Sequence, residues 1–120
     1  MPPDTSPPAY FLALLRVPDI ETYRREYGRK VLPQLVAAGA RVLVASACPT
    51  VLEGEWGSTW TALIQFPNQA AALRWYQSED YAPLKKLRLE ELTTGGAAAI
   101  FEGFQPSAAT LYLQNAGSQP

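Results

Sequence analysis

The chain contains no histidine and a single cysteine, Cys48. The first absence removes the commonest general base and the commonest nitrogen ligand for zinc or non-haem iron. No Ser-His-Asp or Cys-His catalytic set can be drawn within the chain. One cysteine excludes an internal disulfide. Without a neighbouring histidine, Cys48 reads as an inert small side chain rather than a nucleophile. The expectation is therefore no metal and no cofactor. No run of about 18 apolar residues occurs, so no membrane span is expected. Charge is also scarce: 18% of residues are charged and the formal net charge is −1. That balance gives no electrostatic case for nucleic acid or an anionic membrane as partner. The opening MPPDTSPP lacks the basic and apolar regions of a signal peptide, which points to the cytoplasm. No G-x-G-x-x-G or P-loop pattern is present, so Gly54 and Gly57 read as turn residues.

What is present suffices for one domain: 120 residues, 48% of them apolar. Residues 1–8 are Pro-rich and polar, and are expected to be disordered or loosely extended. Tyr10 to Val17 is almost wholly apolar and ends at Pro18, which predicts a buried strand. Asp19 is a helix cap, and Ile20 to about Ala38 is predicted helical, with Ile20, Tyr23, Tyr27 and Val31 on one stripe. Pro33 removes a backbone hydrogen bond and should kink or split this helix. Gly39 stops it. Arg41 to Ala47 and Trp60 to Phe66 read as strands, separated by a long loop with an extended piece at Val51 to Glu53. Asn68 caps a helix over Gln69 to Tyr76, and Ser78 caps another, with Glu79 and Asp80 near its positive end. Thr93 to Gly96 is a turn and Ala97 to Gly103 the fourth strand. Residues 105–120 form a tail in which Leu111, Tyr112 and Leu113 can add an edge strand or reach a partner chain.

The resulting order, β-α-β-β-α-β, is the split βαβ arrangement: an antiparallel four-stranded sheet with helices on one face. Both faces of the strands are substantially apolar. A sheet with one wet face would alternate apolar with polar instead. The helices cover only one face, so a second copy is expected to cover the other.

The stretch FPNQAAALRWYQSEDYAPLKKLR resembles the signature of the domain of unknown function 1330 family. Phe66, Pro67, Trp75, Tyr76, Ser78, Tyr81 and Arg88 match its pattern, as do Glu53-Gly54 ahead of Trp56 and Glu102-Gly103 near the end. The resemblance spans about residues 9–104. It implies an α+β, ferredoxin-like fold of the dimeric α/β-barrel kind, but no reaction. The chain departs from the family in three places. Its first helix ends Ala38-Gly39-Ala40-Arg41 where the family often has H-G-G-R. Gln65 stands for a glutamate, and Asn68 for a serine.

Arg88 is the leading site candidate, because it falls inside the apolar stripe of Tyr81, Leu84, Leu87 and Leu92. A guanidinium stays charged at any reachable pH and forks carboxylates or phosphates bidentately. Either Glu53, Glu79 or Glu102 pairs with it, or a ligand does. The catalytic set expected from sequence is Arg88, Tyr81 and Glu53, the last as a base if burial raises its pKa. The ligand-binding set is Tyr23, Tyr27, Trp75, Tyr76, Ser78 and Arg88. Tyrosine hydroxyls can orient a carbonyl or act as weak acids, although for any one of these aromatics ordinary packing is the favoured reading. The functional expectation is a homodimer whose pocket serves accessory enzymology of isomerase, cyclase or oxygenase type on an anionic or carbonyl-bearing metabolite. The alternative is a non-catalytic ligand-binding or regulatory homodimer.

Overall fold

The computed structural model describes residues 6–105. Four strands form one sheet in the order β2-β3-β1-β4: β1 (Ala9–Arg16), β2 (Arg41–Ser46), β3 (Trp60–Phe66) and β4 (Gly95–Glu102). Every pairing is antiparallel, with β1 in the middle opposite both β3 and β4. This is the α+β, ferredoxin-like arrangement that the element order implied. Between 47 and 59 the chain is a loop, with no strand at Val51 to Glu53. Pairing extends slightly beyond β1 and β4, because the Gly103 amide donates to the Pro8 carbonyl (2.7 Å). Leu111, Tyr112 and Leu113 lie outside the described residues.

The first helical segment runs as α1 (Ile20–Tyr23), a π-helical turn (Arg24–Gly28) and α2 (Arg29–Ala37). Asp19 starts it by accepting from the Thr22 amide at 3.0 Å. Gly39, at φ +78°, ends it. The Ala40 amide then reaches back to the Leu35 carbonyl and the Gly39 amide to that of Val36, a paired closure open to a left-handed residue. The expected break falls one turn before Pro33 rather than at it. Pro33 would bond to the Arg29 carbonyl and instead crowds it, and the wide turn ends at that residue. The widening also serves packing. Buried Tyr23, Tyr27, Val31 and Leu35 recur every four residues. Four α-helical residues overshoot one turn by about 40°, and a π turn absorbs part of that drift.

The second helical segment comprises α3 (Gln69–Tyr76), α4 (Ala82–Leu87) and a π turn (Arg88–Leu92). Asn68 caps α3 through its side-chain oxygen, which accepts from the Ala71 amide at 2.8 Å. Ser78 does not sit directly before α4. Its hydroxyl donates to the Trp75 carbonyl (2.7 Å) and accepts from the Tyr81 amide (3.1 Å), so it shapes the turn between the helices. Pro83 lies in the first turn of α4, where its missing N–H costs nothing.

The core lies between helices and sheet. Phe11, Leu15, Trp60 and Phe66 from the strands meet Leu35 and Trp75 from the helices. On the opposite face of the sheet, Tyr10, Leu12, Leu14 and Leu63 are half-buried and Phe101 is exposed. No helix among the described residues is long and apolar enough to cross a membrane.

Candidate functional site

Among the described residues Arg88 is the buried charge, 4% exposed. It sits where α4 opens into the π turn, and its carbonyl is held by the amide and hydroxyl of Thr93 (3.1 and 2.9 Å). Its side chain meets hydroxyls rather than carboxylates. Nε donates to the Tyr81 hydroxyl at 3.3 Å, and Nη2 to that of Tyr76 at 3.5 Å. The Tyr81 hydroxyl lies 2.6 Å from that of Tyr27. A continuous chain therefore runs Tyr27, Tyr81, Arg88, Tyr76. Burial opposes the charge on Arg88. The Tyr81 oxygen, then those of Tyr27 and Tyr76, raise the guanidinium's pKa, an effect that belongs to alkali where the phenols ionise; at neutral pH they are neutral acceptors.

Among the described residues the side-chain ion pairs are Arg25 with Glu26 and Lys30 with Glu26. Glu53, Glu79 and Glu102 are exposed, and none pairs with Arg88. Two of the five guanidinium N–H donors are engaged, both by neutral oxygens at the long end of the bonding range.

Beside Arg88 opens a cavity of about 380 Å³, between β1, β3 and the first helical segment. Its body is apolar, with Phe11, Leu15, Val31 and Leu35 among its walls; Tyr23, Tyr27 and Arg88 supply the polar groups inside. Arg24 and Arg29 also line it. Arg24 stacks over the Trp60 ring at 5.3 Å. The size and the mixture of apolar wall with few polar groups suit a small organic ligand. Burial pushes the phenol pKa of Tyr23 upward, and that of Tyr27 likewise, with Tyr81 adding to both. Both hydroxyls therefore stay protonated at neutral pH. The cavity offers donors and cations, and no carboxylate or histidine is among its walls.

The structure thus gathers Tyr23, Tyr27, Tyr81 and Arg88. Tyr81 is fully buried and reaches the cavity through Tyr27 and Arg88. Tyr76 touches Arg88 from the other side. Trp75 packs on Tyr81, ring centres 4.1 Å apart, and donates to Gln34 at 3.3 Å. Trp75 and Ser78 border a separate hollow between α2 and α3. Glu53 stays in the exposed 47–59 loop, away from the cavity walls. Sequence reasoning missed Arg24 and Arg29. They belong to a run of helix charges with Arg25 and Lys30, and nothing in one sequence separates a cavity wall from a solvated face.

A crystal structure of the RPA0582 protein of unknown function from Rhodopseudomonas palustris is similar, with a TM-score of 0.66 and 22% identity over 86% of this chain and 87% of that one. Methylated RPA0582 aligns at TM-score 0.67 and 20% identity, covering 87% of this chain and 86% of that chain. Such identities speak for the fold alone. No curated protein matches. A family model described as "Domain of unknown function (DUF1330)" matches residues 8–104. The chain belongs to that family.

Proposed function

We propose that this protein is a homodimeric pocket protein that binds an anionic or carbonyl-bearing metabolite, with Arg88 as its anchor. The observation that carries the reading is the buried guanidinium, whose partners among the described residues are all hydroxyls. A charge removed from water needs an opposite charge or full hydrogen bonding, and Arg88 has neither in full. A carboxylate or enolate would supply both. The apolar cavity would hold the rest of the ligand, and Arg24 and Arg29 would attract it.

The proposed chemistry is accessory and cofactor-free, of isomerase, cyclase or oxygenase type. A fixed cation with protonated phenols polarises a carbonyl and stabilises the oxyanion that develops on it. One observation favours the second reading, a non-catalytic binding or regulatory homodimer: no group among the cavity walls serves as a general base at neutral pH.

Native mass spectrometry of the purified protein identifies any retained ligand, and its conversion on incubation separates enzyme from binder. With benzoate as a model aromatic carboxylate, Arg88→Lys should weaken binding by at least about tenfold, or 1.4 kcal/mol. The lysine keeps the charge and loses the fork. Equal benzoate affinity in a folded Arg88→Lys variant ends the anchoring reading.

A further inference from the structure

A second cavity, of about 400 Å³, opens on the far side of Arg88, between the π turn at Arg88–Leu92 and the start of β4. Leu15 and Arg88 line both cavities, so together they form the partition between them. The two chambers differ in chemistry. The first is largely apolar. The second joins Leu89, Ala97 and Ala98 to the hydroxyl-bearing Tyr76, Thr93 and Thr94 and to Gly95 and Gly96. Gly95 and Gly96 leave part of its floor without side chains, for a structural reason. Gly96 sits at φ +131°, and a Cβ there would collide with the Leu14 carbonyl. Only glycine lets β4 run this close to β1.

We infer that Arg88 serves both chambers, and that the second takes a small oxyanion of carboxylate or phosphate size. The bond from Nη2 to the Tyr76 hydroxyl, at 3.5 Å, is long. A charge-assisted bond to an oxyanion settles near about 2.8 Å and is roughly twice as strong as a neutral one. An anion in this chamber therefore takes over a donor that Tyr76 holds poorly. The Tyr76 and Thr94 hydroxyls can donate further hydrogen bonds, that of Thr93 being already given to the Arg88 carbonyl, and no carboxylate among the lining residues repels the anion. The inference rests on Arg88 being a ligand cation, as proposed above, and adds a second binding site to that reading.

Ala98 provides a handle on this chamber alone. It lies opposite buried Ala13 in register, so it faces the helices; it is exposed and lines the second cavity and not the first. The experiment is a titration of the isotope-labelled full chain, followed by nuclear magnetic resonance, with inorganic phosphate and separately with benzoate. Phosphate should saturably shift the Thr94, Gly95 and Gly96 amides and the Arg88 Nε–H. Benzoate should shift Val31 and Leu35. Ala98→Leu should weaken phosphate at least about tenfold and leave benzoate within about twofold. Because the probes share one guanidinium, each should weaken the other by the same factor. Phosphate that moves none of these resonances at about 50 mM, or binds Ala98→Leu as well as the parent, overturns the inference. Phosphate binding that persists where benzoate fails to bind removes the first-chamber reading and supports this one.

Discussion

The hydroxyl oxygens of Tyr27 and Tyr81 lie 2.6 Å apart, joining residues 54 positions apart in sequence. One comes from the π turn of the first helical segment, the other from the residue before α4. Tyr81 also accepts from Arg88. The contact therefore ties both helical segments to the same buried cation.

This pair makes stability sensitive to alkali. In the folded chain burial, then Tyr81, raise the Tyr27 phenol above its ordinary value of 10.0; in the unfolded chain it titrates there. The contribution is fully present below pH 10.0 and is lost above it, as the unfolded state sheds a proton the folded state keeps. Urea unfolding should show little change from these groups between about pH 7 and 9 and a decline beyond about pH 10. Tyr27→Phe should cost about 1 kcal/mol at neutral pH and flatten the alkaline decline. An equally steep decline in the variant contradicts the assignment.

Arg88 should be a stability liability in the absence of ligand. Replacing a buried, incompletely paired charge by a well-packed apolar group is often neutral or stabilising. Arg88→Leu is expected to raise the Tm of the ligand-free protein by roughly 4 °C, about 1 kcal/mol, while benzoate binding disappears. A Tm lower by several degrees would show that the tyrosine hydroxyls already satisfy the guanidinium.

Trp75 separates packing from binding. It is 5% exposed and touches Phe11, Phe66, Tyr76 and Tyr81. Trp75→Phe removes ring area and the bond to Gln34, and should cost about 1–3 kcal/mol. Benzoate affinity should stay within about twofold, because Trp75 lines neither chamber beside Arg88. A tenfold loss of affinity without loss of stability would make Trp75 a ligand contact.

The sheet face opposite the helices is expected to meet a second copy. Sedimentation should report a dimer at micromolar concentration, with more than about 1,000 Å² buried in total. Leu12→Asp places a charge at the centre of that face and should shift the equilibrium to monomer. A parent protein that sediments as a monomer removes the dimer.

The fold was legible because its signals are local and redundant. Asp19, Gly39 and Asn68 each mark a helix end by their own backbone chemistry, and β3 ends where Pro67 forces it to. Arg88 stood out for a similar reason: a cation inside an apolar stripe is anomalous on one helix, before any tertiary contact is known. The rest needed the third dimension. Ser78 was expected directly before a helix and instead shapes the turn preceding it, since its hydroxyl is shared between Trp75 and Tyr81. Thr93 to Gly96 read as a turn, yet β4 starts at Gly95, because only the pairing with Arg16 and Leu15 shows that these glycines join the sheet. The choice between carboxylate and ligand for Arg88 depended on where Glu53, Glu79 and Glu102 fall in space, which no spacing along the chain reveals.

The π turn at Arg24–Gly28 makes the site a matter of counting as well as of composition. Arg25 is exposed, so most substitutions there should be silent. Deleting it is another matter. One residue fewer lets the coil close to an ordinary helix, and Tyr23, now three residues from Tyr27, falls short of a full turn from it by about 60°. Tyr23 would swing off the cavity wall while every other side chain kept its identity. Functional relatives should therefore differ freely in the amino acids of this stretch and hardly at all in its length.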